Sequence, residues 1–290
     1  MQIFKISPRG YCYGVIDALK IVMQTLKLNS NKTIYMLGLF VHNPEMIKEF
    51  DSKINILDDT YLSRYELVDN LPYANNGEII ILSAHGTDLK TIHLALKKGY
   101  KVINTTCKYV YKTHELINQS LNNKHNVIFI GKSNHPETNA ILSIDKNIIF
   151  IDYQCNNYNI QIDNDYPIDV YNQTTLSIFD INHIHNKLKN SFENINIFND
   201  ICDATTQRQK ALFDFNVPVD LFLVIGHHKS SNSNELLKIA RSKNINSYLI
   251  NSVNDINLKW LEGVNKVAIT SGTSTPTHLT NSIINFLKEY

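Results

Sequence analysis

The stretch LFLVIGHHKSSNSNE, residues 221–235, sets the architecture. Its first five residues form an unbroken apolar run, as expected for a strand covered on both faces of a parallel sheet. A polar loop follows, and KSSNSNE then opens a helix, where Ser is a favoured cap. Strand, polar loop and helix in that order form half of a parallel α/β unit. The same plan occurs in IYMLGLFVHN (34–43) and VIFIGKSNHPET (127–138). Each is followed by a second apolar strand with a polar loop: EIIILSAHGT (78–87), DVYNQTTLS (169–177) and KVAITSGTSTP (266–276).

Upstream of each pair lies a cysteine. Cys12, Cys107 and Cys202 are spaced by 95 residues and again by 95, with Cys155 outside the series. Val15, Leu19, Val22, Met23 and Leu26 after the first, and Val110, His114, Ile117 and Leu121 after the second, keep one helical face. DATTQRQKALF follows the third. Each Cys therefore stands at a helix start, where the helix dipole and free N–H groups favour a thiolate. The chain is three copies of one plan.

Ligands bind at the carboxyl ends of strands in such sheets. The expected fold is α/β: a trefoil of three similar α/β domains, with parallel sheets around a pseudo-threefold axis. Three Cys and six polar loops would meet at its centre. The expected repeats are 13–106, 107–198 and 199–290, roughly the size of small domains.

Composition narrows the function. The chain has 290 residues, 43% hydrophobic and 19% charged, so it is a globular chain with a large core. Lys and Arg number 28 against 27 Asp and Glu, which argues against a non-specific nucleic-acid or anionic-membrane binder. No CxxC occurs, which excludes a zinc ribbon or thioredoxin motif. MQIFKISPRG has no signal-peptide core, and no apolar run approaches the ~18 residues of a membrane helix. An intracellular protein is expected, in the cytoplasm or, after processing, in a plastid-type organelle.

Three convergent Cys suit either zinc or an iron–sulfur cluster with one iron left without a protein thiolate. Three domain-sized repeats around one centre fit the bulkier cofactor better. The loops carry Ser, Thr, Asn, Gln and His but no P-loop lysine. Ser230, Ser231 and Asn232 open a helix and offer hydroxyls, an amide and backbone N–H groups to an anion. His42, His85 and His135 add charge-assisted donors. Glu137 is the carboxylate at a loop tip, and in a dry pocket it is a proton source.

The segments PRGYCYGV (8–15), FVHN (40–43), SAHGT (83–87), TTC (105–107), NHPE (134–137), NQTTLS (172–177), DICDATTQRQ (200–209), SSNSN (230–234) and SGTSTP (271–276) resemble, in order, those of the LytB/IspH family of 4-hydroxy-3-methylbut-2-enyl diphosphate reductases. The resemblance implies a central 4Fe–4S cluster on Cys12, Cys107 and Cys202 with one open iron. It implies that His42, His85, His135, Ser230, Ser231, Asn232 and Ser274 bind the substrate diphosphate. Glu137 and Thr174 would serve the allylic hydroxyl, with Gln173 and Thr175 nearby. It further implies that strand 1–12 packs on the third repeat, that ferredoxin or flavodoxin donates the electrons, and that no nucleic acid or membrane takes part.

The chain departs from the family pattern in places. Lys108 follows the second Cys where Pro is usual, adding a charge that would raise the cluster potential. GHHKSSNSN adds His227 and His228, and Thr277-His278 stands where an acidic residue is common. Two rival readings share the three cysteines: a dehydrating lyase resembling quinolinate synthase, and a non-enzymatic iron–sulfur or RNA-associated accessory protein. Substrate-dependent oxidation of a reduced dye separates both from the reductase.

Overall fold

The computed structural model describes residues 1–39, 53–155, 160, 162 and 165–290. The described residues form two compact units, one of residues 1–16 and 202–290, the other of residues 17–201. The fold is α/β, with three parallel four-stranded sheets.

The larger unit holds two of the sheets. In the first, β2 (Ile34–Leu37) and β4 (Ile79–Leu82) are central, flanked by β3 (Asn55–Leu57) and β5 (Lys101–Asn104). In the second, β6 (Asn126–Gly131) and β8 (Ile168–Asn172) are central, flanked by β7 (Ile149–Asp152) and β9 (Ile195–Ile197). The smaller unit holds the third sheet. Its centre is β10 (Leu221–Ile225) and β12 (Lys266–Ser271), flanked by β11 (Asn246–Ile250) and the N-terminal strand β1 (Gln2–Lys5).

All three sheets share one strand order, edge, first, second, edge. Strands β5, β9 and β1 hold the same last place, and each leads directly to one of the three spaced cysteines. Central strands are buried along most of their length because both faces are covered, which is why IIIL and LFLVI read as unbroken apolar runs. Apolar clusters line both faces of the second and third sheets. The outer strands β5, β9 and β1 are partly exposed.

Register places the loops. Pairing runs from Ile34↔Ile79 to Leu37↔Leu82, from Asn126↔Ile168 to Ile130↔Asn172, and from Leu221↔Val267 to Ile225↔Ser271. The two central strands of each sheet end level, so their polar loops emerge side by side. Strand order reverses between them, and that is where open α/β sheets bind ligands.

Candidate functional site

Each spaced cysteine is the residue before a helix: α1 (Tyr13–Leu28), α4 (Lys108–Asn122) and α7 (Asp203–Phe213). Their carbonyls accept the first helical bonds, from Ile16, Tyr111 and Thr206, at 3.0, 2.9 and 3.0 Å. Neither Cys107 nor Cys202 uses its side chain as a cap. All three are partly exposed, whereas Cys155 lies exposed in a turn after β7. A soft sulfur at the positive end of a helix is a fitting donor for iron or zinc.

In the smaller unit the loops after β10 and β12 meet helix α8 (Ser231–Ser242). Ser230 is its N-cap, accepting from Ser233 N at 3.3 Å. Thr275 Oγ1 donates to Ile225 O at 2.9 Å and ties one loop to the other strand. Asn232 is 1% exposed, and neither its amide oxygen nor its nitrogen has a hydrogen-bond partner. A buried unpaired amide costs about 1–3 kcal/mol, a cost that a polar ligand at this place would relieve. Close approach makes this possible: a Cβ on Gly226 or Gly272 would lie 2.2 Å from Ser233 Oγ. The helix start and the orphan amide together suit an anion. Ser231 and Ser274 are buried beside them.

In the larger unit the loops after β4, β6 and β8 come together. The rings of His85 and His135 meet edge to face at 5.6 Å. His135 caps α5 (Pro136–Leu142), its Nδ1 accepting Glu137 N at 3.2 Å. That bond assigns the neutral ring as the Nε2–H tautomer, leaving Nε2 as the donor. Glu137 is 1% exposed. Its Oε1 accepts Thr174 N at 2.7 Å, and its Oε2 pairs with Thr174 Oγ1 at 3.0 Å. Burial pushes its pKa up to about 7 against the opposing Thr174 bonds, with a small added push from Asp200. A carboxyl half-protonated near neutrality can give a proton. Burial likewise raises Asp200 to about 6.

Gln173 lies next to Thr174 and is buried. Its Oε1 accepts Lys132 N at 2.9 Å, and its Nε2 donates to Thr175 Oγ1 at 3.0 Å. It braces one loop against the other. His42 lies outside the described residues.

Patterning alone does not reveal Arg64, the first residue of α2 (Arg64–Asp69). The capping box of Ser63 and Glu66 fixes that helix start. The guanidinium is 9% exposed and paired with Asp59 at 2.9 Å. It also donates to Ser83 Oγ at 2.9 Å, to Thr87 Oγ1 at 3.0 Å and to Gly86 O. It thus holds the loop that carries His85 from three sides. Arg64→Lys keeps the charge but loses the fork. Losing about 1.5 kcal/mol of loop placement should raise KM about tenfold. Steady-state assays should show kcat and iron content near wild type; a fall in kcat at unchanged KM would contradict this role.

Comparison with known proteins gives this geometry a context. The profile of a family described as "LytB protein" matches residues 3–288. A Malacoplasma penetrans protein named 4-hydroxy-3-methylbut-2-enyl diphosphate reductase is 44% identical over 292 residues, covering 100% of this chain and 98% of that protein. A Bacillus cereus protein of the same name is 37% identical over 294 residues, covering 100% and 91%. The solved structure of the E-1-hydroxy-2-methyl-but-2-enyl-4-diphosphate reductase from Plasmodium falciparum superposes with a TM-score of 0.88 at 30% identity, covering 99% of this chain and 88% of that one. A second structure, described as the terminal enzyme of the non-mevalonate pathway, superposes at 0.66 with 24% identity and full coverage, a likeness of fold.

Proposed function

The chain belongs to the LytB protein family, and from that premise we infer that it reduces 4-hydroxy-3-methylbut-2-enyl diphosphate to isopentenyl and dimethylallyl diphosphates, the last step of the non-mevalonate (MEP) route to isoprenoid precursors. The observation that carries this reading is the buried Glu137–Thr174 pair, in a chain that relatives of that name match from end to end. The reaction consumes two electrons and two protons. The allylic C–O bond breaks, the hydroxyl leaves as water, and a C–H bond forms.

We assign the cofactor as one 4Fe–4S cluster on Cys12, Cys107 and Cys202. When bound, it supplies electrons one at a time and a Lewis-acidic iron. The matched strand orders support reading residues 13–106, 107–198 and 199–290, with strand 1–12 on the last, as three repeats that each contribute one cysteine.

The protein's own residues hold and protonate the substrate. Ser230, Ser231, Asn232 and Ser274 bind the diphosphate at the start of α8, with His42, His85 and His135 as further donors. Glu137 gives its proton to the departing hydroxyl oxygen. Thr174 orients that oxygen and keeps Glu137 aimed, and Gln173 and Thr175 brace the loop that carries Thr174.

Electrons come from ferredoxin or flavodoxin in this reading, in a reducing cytoplasm that keeps the thiols free. Among the described residues no helix is long and apolar enough to cross a membrane.

Anaerobically purified protein with reduced viologen tests the function. Dye oxidation should depend on the diphosphate substrate. A full cluster with no substrate-dependent oxidation would end this reading. Asn232→Ala tests the anion site in the same assay. Losing hydrogen bonds to a charged group costs about 1.5–3 kcal/mol, so Kd should rise roughly 10- to 150-fold. Thermal stability should hold or improve, because the substitution removes an unpaired buried amide. Unchanged affinity would move the diphosphate elsewhere.

A further inference from the structure

Arg208 of α7 is 3% exposed, in the smaller unit. One terminal nitrogen donates to Gly10 O at 2.7 Å, and the other to Ala204 O at 3.0 Å. Its Nε has no hydrogen-bond partner. Gly10 stands two residues before Cys12, and Ala204 two residues after Cys202. One planar guanidinium therefore joins the backbone beside both cysteines.

The Gly10 side of this clasp is itself fixed. Gly10 N donates to Ser271 Oγ at 2.9 Å, and Cys12 N donates to Thr273 O at 3.0 Å. At φ +77° Gly10 adopts a conformation that L side chains rarely take, and a Cβ there would lie 2.7 Å from Thr277 Oγ1. The segment is thus held against the loop after β12, with its carbonyl turned to Arg208.

Two neutral carbonyls do not neutralise a buried cation. Burial lowers the pKa of Arg208, and its electrostatic interaction with Cys12 and then Cys202 opposes that fall.

We propose that Arg208 is a positioning residue of the iron–sulfur centre, clamping the Cys12 loop to the Cys202 helix and setting a fixed positive charge beside two of the cluster's ligands. This rests on the assignment of Cys12 and Cys202 as ligands. Clamping keeps both sulfurs in place before iron arrives and after one bond to it breaks. The fixed charge favours the reduced, more negative cluster, and net charge is a main determinant of such potentials. Lysine would keep the charge but lacks the rigid planar fork that fixes both carbonyls in one geometry.

The test compares wild type, Arg208→Lys and Arg208→Met, each reconstituted anaerobically, with iron and sulfide quantified and folding checked by circular dichroism. The readouts are the rate of cluster loss to an iron chelator and the midpoint potential from redox titration followed by electron paramagnetic resonance. Arg208→Met should lose its cluster about tenfold faster and show a more negative potential. Arg208→Lys should keep a potential near wild type and lose its cluster at an intermediate rate. Wild-type rate and potential in Arg208→Met would overturn the proposal. If that variant does not fold, a wild-type chelation rate in Arg208→Lys would do so. A Cys12→Ser protein that keeps all its iron would instead sink the ligand assignment.

Discussion

Glu137→Gln is expected to cut turnover by about 10²–10⁴-fold, the span that one positioned acid supplies, while iron content and substrate affinity stay near wild type. Hydroxide is a poor leaving group, so the proton must be present as the C–O bond breaks. Glu137 is buried, is held by Thr174 through both carboxyl oxygens, and has a pKa pushed up to about 7 by burial. Glutamine keeps the shape and the hydrogen bonds but has no acid to give. In the wild type, kcat/KM should fall as pH rises through about 7 and Glu137 loses its proton. That limb should vanish in the variant.

Stability should move the opposite way. The folded pKa lies above the ordinary 4.5, so the stability linked to neutral Glu137 is whole below that value and is lost as pH rises through about 7. At pH 8 the glutamine variant should therefore be more stable, by up to about 3 kcal/mol, and the gap should close below pH 4.5. Denaturant titrations at the two pH values measure this. Near wild-type turnover in the variant would show that the proton comes from His135 or from the diphosphate itself.

Single Cys→Ser changes at positions 12, 107 and 202 should each abolish activity and remove most of the iron. Serine is a hard, weakly acidic donor and a poor ligand for a cluster normally held by thiolates. Cys155→Ser should keep full iron and activity, since Cys155 lies outside the 95-residue series and sits exposed after β7. Anaerobic iron and sulfide assays decide. Full retention in Cys107→Ser, equal loss in Cys155→Ser, or stoichiometric zinc in place of iron would each contradict the assignment.

Much of this protein is legible in order along the chain, because the deciding signals are local. Apolar runs such as IIIL and LFLVI announce strands covered on both faces. Cys12 and Cys107 announce helix starts through the spacing of apolar residues after them. SSNSN announces a helix start because capping chemistry acts within one turn. The nine family segments extend that reading to the roles proposed for Glu137 and Thr174.

What the sequence leaves open depends on residues far apart. Strand β1 completes the third sheet by pairing Gln2 with Lys266, a place that the family resemblance implied but that no local pattern in QIFK marks. Arg64 and Arg208 look in sequence like any solvated arginine. Only tertiary packing removes their water and turns each into a clasp between segments. Gln173 sits in a site motif, yet packing spends its amide on Lys132 and Thr175. The acidity of Glu137 is the sharpest case. Its identity and position are written in NHPE, but its pKa near 7 comes from burial beneath loops of two different strands, and desolvation exists only once those loops have closed over it.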